Sequence, residues 1–268
     1  MSAVIISEIR KVSSTRLWWI LLLCMAVGVA FMTGTFAFTL AFADQLGGAD
    51  AQAAPADPLA TARTIYGLPV SFGYVFPVIL GALMVTSEFR HRTIDTTLLL
   101  EPSRLKVIAA KTLAVVPFAV VYAVTAMVVG VGVGAGLLAL AGDPTMLDAT
   151  GVQRSIAMGA LALVVWAIVG VGFGCAITNQ VIVIVALLCW TQLVEPILRV
   201  AFAFVEPLQG VAKFLPGAAG DAMVGGSFYT ATGGGDLLAP WAGMAVLLGY
   251  AVVAALIGWL VTFRRDIS

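Results

Sequence analysis

The chain has 268 residues, 61% of them hydrophobic and 10% charged, with 14 basic and 14 acidic side chains and a mean hydropathy of +1.07. A soluble domain carries about 25% charged residues, so this chain has too little polar surface to dissolve as a monomer, and its solvent is expected to be largely lipid. Zero net charge gives no footprint for nucleic acid. The single histidine, His91, cannot build a multi-histidine metal site, and Cys24, Cys175 and Cys189 lie in apolar runs at no zinc or redox spacing.

In chain order, residues 2–16 predict a short amphipathic helix. Ile5, Ile9 and Val12 recur at helical spacing, and Glu8, Lys11 and Ser14 are taken as its polar side. Lying at the inner interface, this helix would enter the first membrane span through an elbow carrying Glu8, Arg10, Lys11 and Arg16. The first apolar run, 17–43, has 27 residues without a charge. Arg10, Lys11 and Arg16 imitate the basic start of a signal peptide and Ala41-Phe42-Ala43 its cleavage site. The apolar core of a signal is only about 7–15 residues, however, so an uncleaved span is expected. A polar Ala/Pro/Asp-rich loop, 44–66, follows. Further runs cover 67–87, 107–141, 155–177, 181–203 and 237–263, each longer than the ~18 residues that mark a spanning candidate. None shows the alternation of a barrel strand, and a lipid-bound backbone must satisfy itself internally, so all six are read as helices. The short link Thr178-Asn179-Gln180 predicts a tight hairpin between the fourth and fifth. Residues 204–236 hold Pro207, Pro216 and many glycines yet stay half apolar, which predicts a partly re-entrant or interfacial outer segment before the last span.

The charges between the runs sort by side. The N-terminal segment, the 86–111 segment and the tail together hold ten Lys/Arg against five Asp/Glu, and the alternate segments hold four against nine. The positive-inside rule then places both termini in the cytoplasm. The architecture read from the sequence is a single all-α integral membrane domain, 1–268, with six transmembrane helices.

The inventory of chemistry is short. No G-x-x-x-x-G-K-[ST] phosphate loop occurs, so ATP hydrolysis by that route is not expected of this chain. Gly130-x-Gly132-x-Gly134-x-Gly136 and Gly170-x-Gly172-x-Gly174 sit inside apolar runs, where small residues let helix backbones approach, and are read as packing faces. No Asp or Glu lies mid-run, which argues against ion-coupled carriage and against an intramembrane enzyme; no catalytic residue and no metal site is assigned. Glu195 and Arg199 lie one helical turn apart near the outer end of the fifth run. One reading is a polar patch at the mouth of a pathway; the plainer one is an exposed ion pair contributing ~0–1 kcal/mol.

Residues 86–111 are dense in charge yet carry Phe89, Ile94 and Leu98–Leu100. Charge with apolar anchors at a membrane exit suits docking to a cytoplasmic protein, and equally suits a topology signal packed on neighbouring spans. The order Ser87-Glu88-Phe89-Arg90-His91-Arg92-Thr93-Ile94, then Thr97-Leu98-Leu99, Pro102-Ser103-Arg104 and Ala109-Ala110-Lys111 resembles the cytoplasmic loop of type-2 ABC export permeases, with Arg92 where glycine is common. Glu8-x-Arg10-Lys11, Ser14-Thr15-Arg16-x-Trp18-Trp19 and Phe214-Leu215-Pro216-Gly217 resemble that family's elbow and the Leu-Pro element before its last span. The resemblance implies a subunit that pairs with a second copy or a sister chain to form an export pathway. It also implies separate ATP-binding-cassette subunits docked beneath, which bind the ATP and Mg; this chain would hold no cofactor of its own. Glu88, Phe89, Arg90, Arg92, Thr93 and Ile94 would meet the ATPase. The setting implied is the cell membrane, the inner membrane in a bacterium, among membrane lipids, with efflux of a hydrophobic drug, peptide or lipid as the task. Phe72, Phe76 and Trp166 are available as pathway walls. The alternative from another class is a membrane anchor or sensor subunit that transports nothing.

Overall fold

Backbone N–H and C=O groups in lipid find no water and must pair within the chain. The computed structural model describes residues 2–42, 57–226, 229 and 237–262, and among these there is no strand. Its elements are α1 (Ser2–Ser13), α2 (Leu17–Ala41), α3 (Pro58–Gly73), α4 (Val75–Arg90), α5 (Ile94–Leu100), α6 (Arg104–Ala141), α7 (Thr150–Ala176), α8 (Gln180–Cys189), α9 (Glu195–Ala203), α10 (Glu206–Ala212), α11 (Pro216–Val224) and α12 (Pro240–Ile257). Among the described residues, six helical stretches are long and apolar enough to cross a membrane: Leu17–Ala41, Pro58–Arg90, Arg104–Ala141, Thr150–Ala176, Gln180–Phe202 and Pro240–Val261. The chain is therefore an all-helical, multi-pass membrane protein.

Several boundaries differ from the sequence reading. The second span begins at Pro58, not near 67. Asp57 caps it by accepting the Leu59 N–H at 3.0 Å, Pro58 occupies the first turn, and Ile65 and Tyr66 are buried. The span breaks at Tyr74 because the Pro77 ring has no N–H and crowds the carbonyl of Gly73. The 86–111 segment is mostly helix: α4 runs to Arg90, α5 follows, and α6 starts at Arg104. The fifth span is interrupted by a π-helical turn, Trp190–Val194. Here too a proline is responsible, since Pro196 cannot donate to Gln192, and Glu195 N–H reaches back five residues to the Trp190 carbonyl instead. The 178–180 link does turn tightly, with Asn179 accepting the N–H groups of Val181 and Ile182 at 3.0 and 3.2 Å, but α8 leans on α4 more than on α7.

α7 is the hub, touched by α3, α4, α6, α11 and α12. Its small residues make this possible. A Cβ on Gly170 would strike the Val78 carbonyl, one on Gly174 would sit 2.6 Å from the Ala82 carbonyl, and one on Gly172, on the other side, 2.6 Å from that of Ala251. On α6, Gly130 and Gly134 admit Pro69 and Ile65 of α3, whereas Gly132 and Gly136 face open space. α2, α8 and α12 form the rim, and their outward Val27, Phe31, Val181 and Val252 are exposed and apolar, as lipid-facing positions are. α11 is buried along its whole length between α3, α7 and α12.

Backbone carbonyls cannot step aside as flexible side chains do. Gly170→Ala should therefore cost about 1–3 kcal/mol and lower the melting temperature in detergent, while Gly132→Ala should leave it unchanged; thermal melts of the two variants check this.

Candidate functional site: a buried charge cluster at each end of the bundle

Ions inside a low-dielectric bundle survive only with partners. Among the described residues two clusters meet that demand. One, at the end of the bundle that carries α1 and here labelled inner, is built from α1, α4, α5 and α6. Lys111, seven residues into α6 and fully buried, donates to Glu8 Oε2 at 2.6 Å and to the Met84 carbonyl at 3.2 Å, and pairs with Glu88 Oε1 at 3.0 Å. Lys11 approaches Glu8 Oε1 and Glu88 Oε1, each at 2.5 Å, and donates to Thr97 Oγ1 of α5 at 3.2 Å. Two ammonium groups thus neutralise two carboxylates and fasten three helices to the end of α4. Glu8 belongs to the apolar face of α1, not to its polar side: it is one turn from Ile5 and from Val12, which puts it inward at 3% exposure. Burial alone would raise the Glu8 carboxyl, but the Lys111 charge and hydrogen bonds from both lysines outweigh it and hold the group below its ordinary 4.5. Burial likewise opposes the charge on Lys11, and its hydrogen bonds to Glu8 and Glu88 overcome that and raise it above 10.5.

This arrangement divides the residues assigned to a partner. Glu88 and Ile94 are buried inside the chain and hold the 86–111 segment to the bundle, so they are not accessible to another protein. Phe89 is half-buried, and Arg90, Arg92 and Thr93 are exposed, as are Arg10, Lys11 and Arg16. Arg90 donates to Gln180 Oε1 at 3.3 Å, linking α4 to the start of α8. The helix α4 ends in a reversal in which Thr93 N–H bonds Glu88 O at 2.9 Å and Arg92 N–H bonds Phe89 O at 3.3 Å. Arg92 itself takes φ +55°, the left-handed conformation that suits glycine at this place. The tail charges Arg264, Arg265 and Asp266, and the loop residues Asp44 and Asp50, lie outside the described residues.

The second cluster, here labelled outer, centres on Glu195 and Arg199, which are 1% and 6% exposed rather than an exposed pair. Arg199 Nε donates to Glu195 Oε1 at 3.1 Å, and its Nη1 donates to Asp221 Oδ2 of α11 at 2.7 Å. Ser71 of α3 donates to Asp221 Oδ1 at 2.8 Å, and the Ala218 N–H in the first turn of α11 donates to Glu195 Oε1 at 3.1 Å. The guanidinium also stacks 4.6 Å from the Tyr229 ring centre. Gly217 lets α11 come this close, because a Cβ there would sit 2.5 Å from Glu195 Oε1. The π-helical turn adds a loose carbonyl. Thr191 O would find its next partner at residue 196, a proline, and accepts instead from the Tyr74 hydroxyl at 3.1 Å. Tyr74 in turn packs on Trp166, ring centres 4.4 Å apart. A separate apolar cavity of about 310 Å³ lies beside this cluster, lined by Trp166, Phe173, Leu187, Trp190, Pro216 and Tyr250 among others. Of the wall residues named from sequence, Trp166 is buried here, while Phe72 and Phe76 are half-buried and Phe72 stacks on Phe36 at 5.6 Å.

Sequence reading had singled out neither Asp221, Ser71 and Tyr74 nor the central place of Lys111. The signals were there for two of them: Lys111 is the one charge within the apolar run 107–141, and Asp221 a lone anion within 216–224. No family model matches this chain, and no curated protein does.

Two outcomes test the inner cluster. Lys111→Met leaves two buried carboxylates short of a cation and should cost about 3–5 kcal/mol, read as a loss of folded protein in thermal melts. Glu8 stabilises the docking of α1 fully above its ordinary 4.5, and that contribution is lost as pH falls through its lower folded value. Amide exchange over residues 2–13 should accelerate there, and again in alkali once Lys11 loses its proton. Arg92→Gly relieves a left-handed arginine and should raise stability by up to about 1 kcal/mol.

Proposed function

We propose that this chain is the membrane permease subunit of an ATP-driven exporter of the type-2 ABC kind, oriented with both termini in the cytoplasm. The observation that carries the reading is the inner cluster. Glu8, Lys11, Glu88 and Lys111 join α1, α5 and the ends of α4 and α6 into one braced unit. A push on the exposed side of that unit reaches two spans at once, as a lever driven by a separate motor requires. The exposed side carries Arg10, Arg16, Arg90 and Arg92, which suits a partner with an acidic face. The left-handed backbone at Arg92 supports the resemblance as well, because glycine is common at that place in the family and the conformation explains why.

The division of labour agrees with the sequence, which has no phosphate loop. A partner ATPase would supply ATP and Mg, and a second permease subunit would complete the pathway. Hydrophobic drugs, lipids or apolar peptides suit the apolar cavity between α7, α8 and α12.

The test uses inside-out vesicles bearing the full complex and a hydrophobic dye. Arg90→Glu combined with Arg92→Glu places like charges against the partner. The double variant should still fold but lose ATPase co-purification and lower ATP-dependent dye transport at least about tenfold, the equivalent of 1.4 kcal/mol. Full assembly and transport with both charges reversed would remove the docking role. Partner binding without any ATP-dependent transport in the native chain would favour an anchor instead.

A further inference from the structure

The outer cluster has a charge imbalance. Glu195 and Asp221 bring two negative charges and Arg199 one positive. The other cations of the outer side do not reach the cluster: Arg63 lies against Gly151 with its buried Nε unpartnered, Lys213 lies over the Phe214 ring, and Arg154 is exposed. The sequence adds none nearby, since the charged residues of 43–56 and 227–236 are all aspartates. One uncompensated negative charge in a lipid-bounded interior costs several kcal/mol, which is a strong demand for one positive charge.

Two features of Glu195 bear on where that charge would go. Glu195 Oε1 takes the Arg199 and Ala218 donors, while Glu195 Oε2 is buried with no hydrogen-bond partner. Glu195 is one wall of a void of about 10 Å³, lined also by Ser71, Tyr74, Thr191 and Asp221, with the Arg199 guanidinium already at its edge as the one cation. A void of that size takes a single water-sized occupant. The charged and titratable groups that face Glu195 are Arg199 on its own helix, Asp221 on α11, Tyr74 at the α3–α4 break and Tyr250 on α12, with Tyr229 next to them. A divalent ion is poorly served, because no group of three or more His, Cys, Asp or Glu side chains able to hold a metal occurs among the described residues.

We propose that this pocket binds one univalent cation at the free oxygen of Glu195, arriving either as an alkali-metal ion or as a proton. Its occupancy would complete the tie between α9, α11 and α3 at the point where the π-helical turn and the α3–α4 break interrupt two spans. Cation occupancy is therefore a means of holding or releasing the outer half of the bundle. Such a site would serve a permease or an anchor alike.

Two measurements on the purified full-length protein in lipid nanodiscs separate the sources. The first is thermal stability against sodium or potassium at constant ionic strength set with choline. With an alkali ion as the occupant, each tenfold rise in its concentration above the dissociation constant favours the folded form about tenfold, and Glu195→Gln, which removes the surplus charge, abolishes the dependence. The second is the infrared carbonyl band of a buried protonated carboxylic acid. With a proton as the occupant, the wild type shows this band without any alkali dependence, and Glu195→Gln loses it. Both readouts exist in the wild type, so a variant that fails to fold leaves the test intact. A wild-type protein with neither alkali dependence nor the carboxylic acid band would mean that the void holds only water, and the proposal falls.

Discussion

Lipid supplies no counter-ions and no hydrogen bonds, and this constraint organises the molecule. Each ionised group drawn inside must bring its partner along, and each break in a helix must find a donor or acceptor from a neighbour. Lys111 is the clearest case. It is completely buried, and its partners come from α1 and from the end of α4, regions far apart in sequence. The position of α1 is set by that demand as much as by its apolar face, since Glu8 reaches inward from among Ile5, Ile9 and Val12.

The two ends of the bundle solve the same problem differently. At the inner end two lysines balance two carboxylates, so the cluster is neutral and acts as a brace. At the outer end one arginine serves two carboxylates, so the charges do not balance, although each cluster has one buried carboxylate oxygen without a hydrogen-bond partner, on Glu88 and on Glu195. Backbone regularity also differs between the two clusters. The inner ends of α4 and α6 are continuous helix, whereas the outer cluster gathers a proline-induced break at Tyr74, a proline-induced π-helical turn before Pro196, and the short buried helix α11. Irregular backbone is tolerated at this depth because it is enclosed by protein, and the groups it frees are used: the Thr191 carbonyl takes the Tyr74 hydroxyl, and the Ala218 amide takes Glu195.

Packing explains how so many charges can be enclosed by so few helices. The glycines of α7 bring the backbones of α4 and α12 into direct contact on opposite sides, and Gly217 does the same for α11 against the Glu195 carboxylate. These are close approaches, each of which a single methyl group would block. They leave α7 without a lipid-facing role and turn α2, α8 and α12 outward as the apolar rim.

The amino-acid sequence by itself determined that the chain enters lipid, roughly where the six apolar helices lie, and that Gly130, Gly134, Gly170, Gly172 and Gly174 are packing positions, though not Gly132 and Gly136. Apolar length and small-residue spacing are local properties that lipid reads directly. It also flagged the 86–111 segment and the Glu195–Arg199 spacing, since charge beside apolar runs stands out. Only the tertiary structure decided that Glu88 and Ile94 face inward, that Glu195 and Arg199 are buried, and that Asp221 and Ser71 join them. Those facts depend on contacts such as Lys111 with Glu8 and Arg199 with Asp221, between residues 103 and 22 positions apart. No helical period carries such pairings; they exist only once the helices have chosen their neighbours.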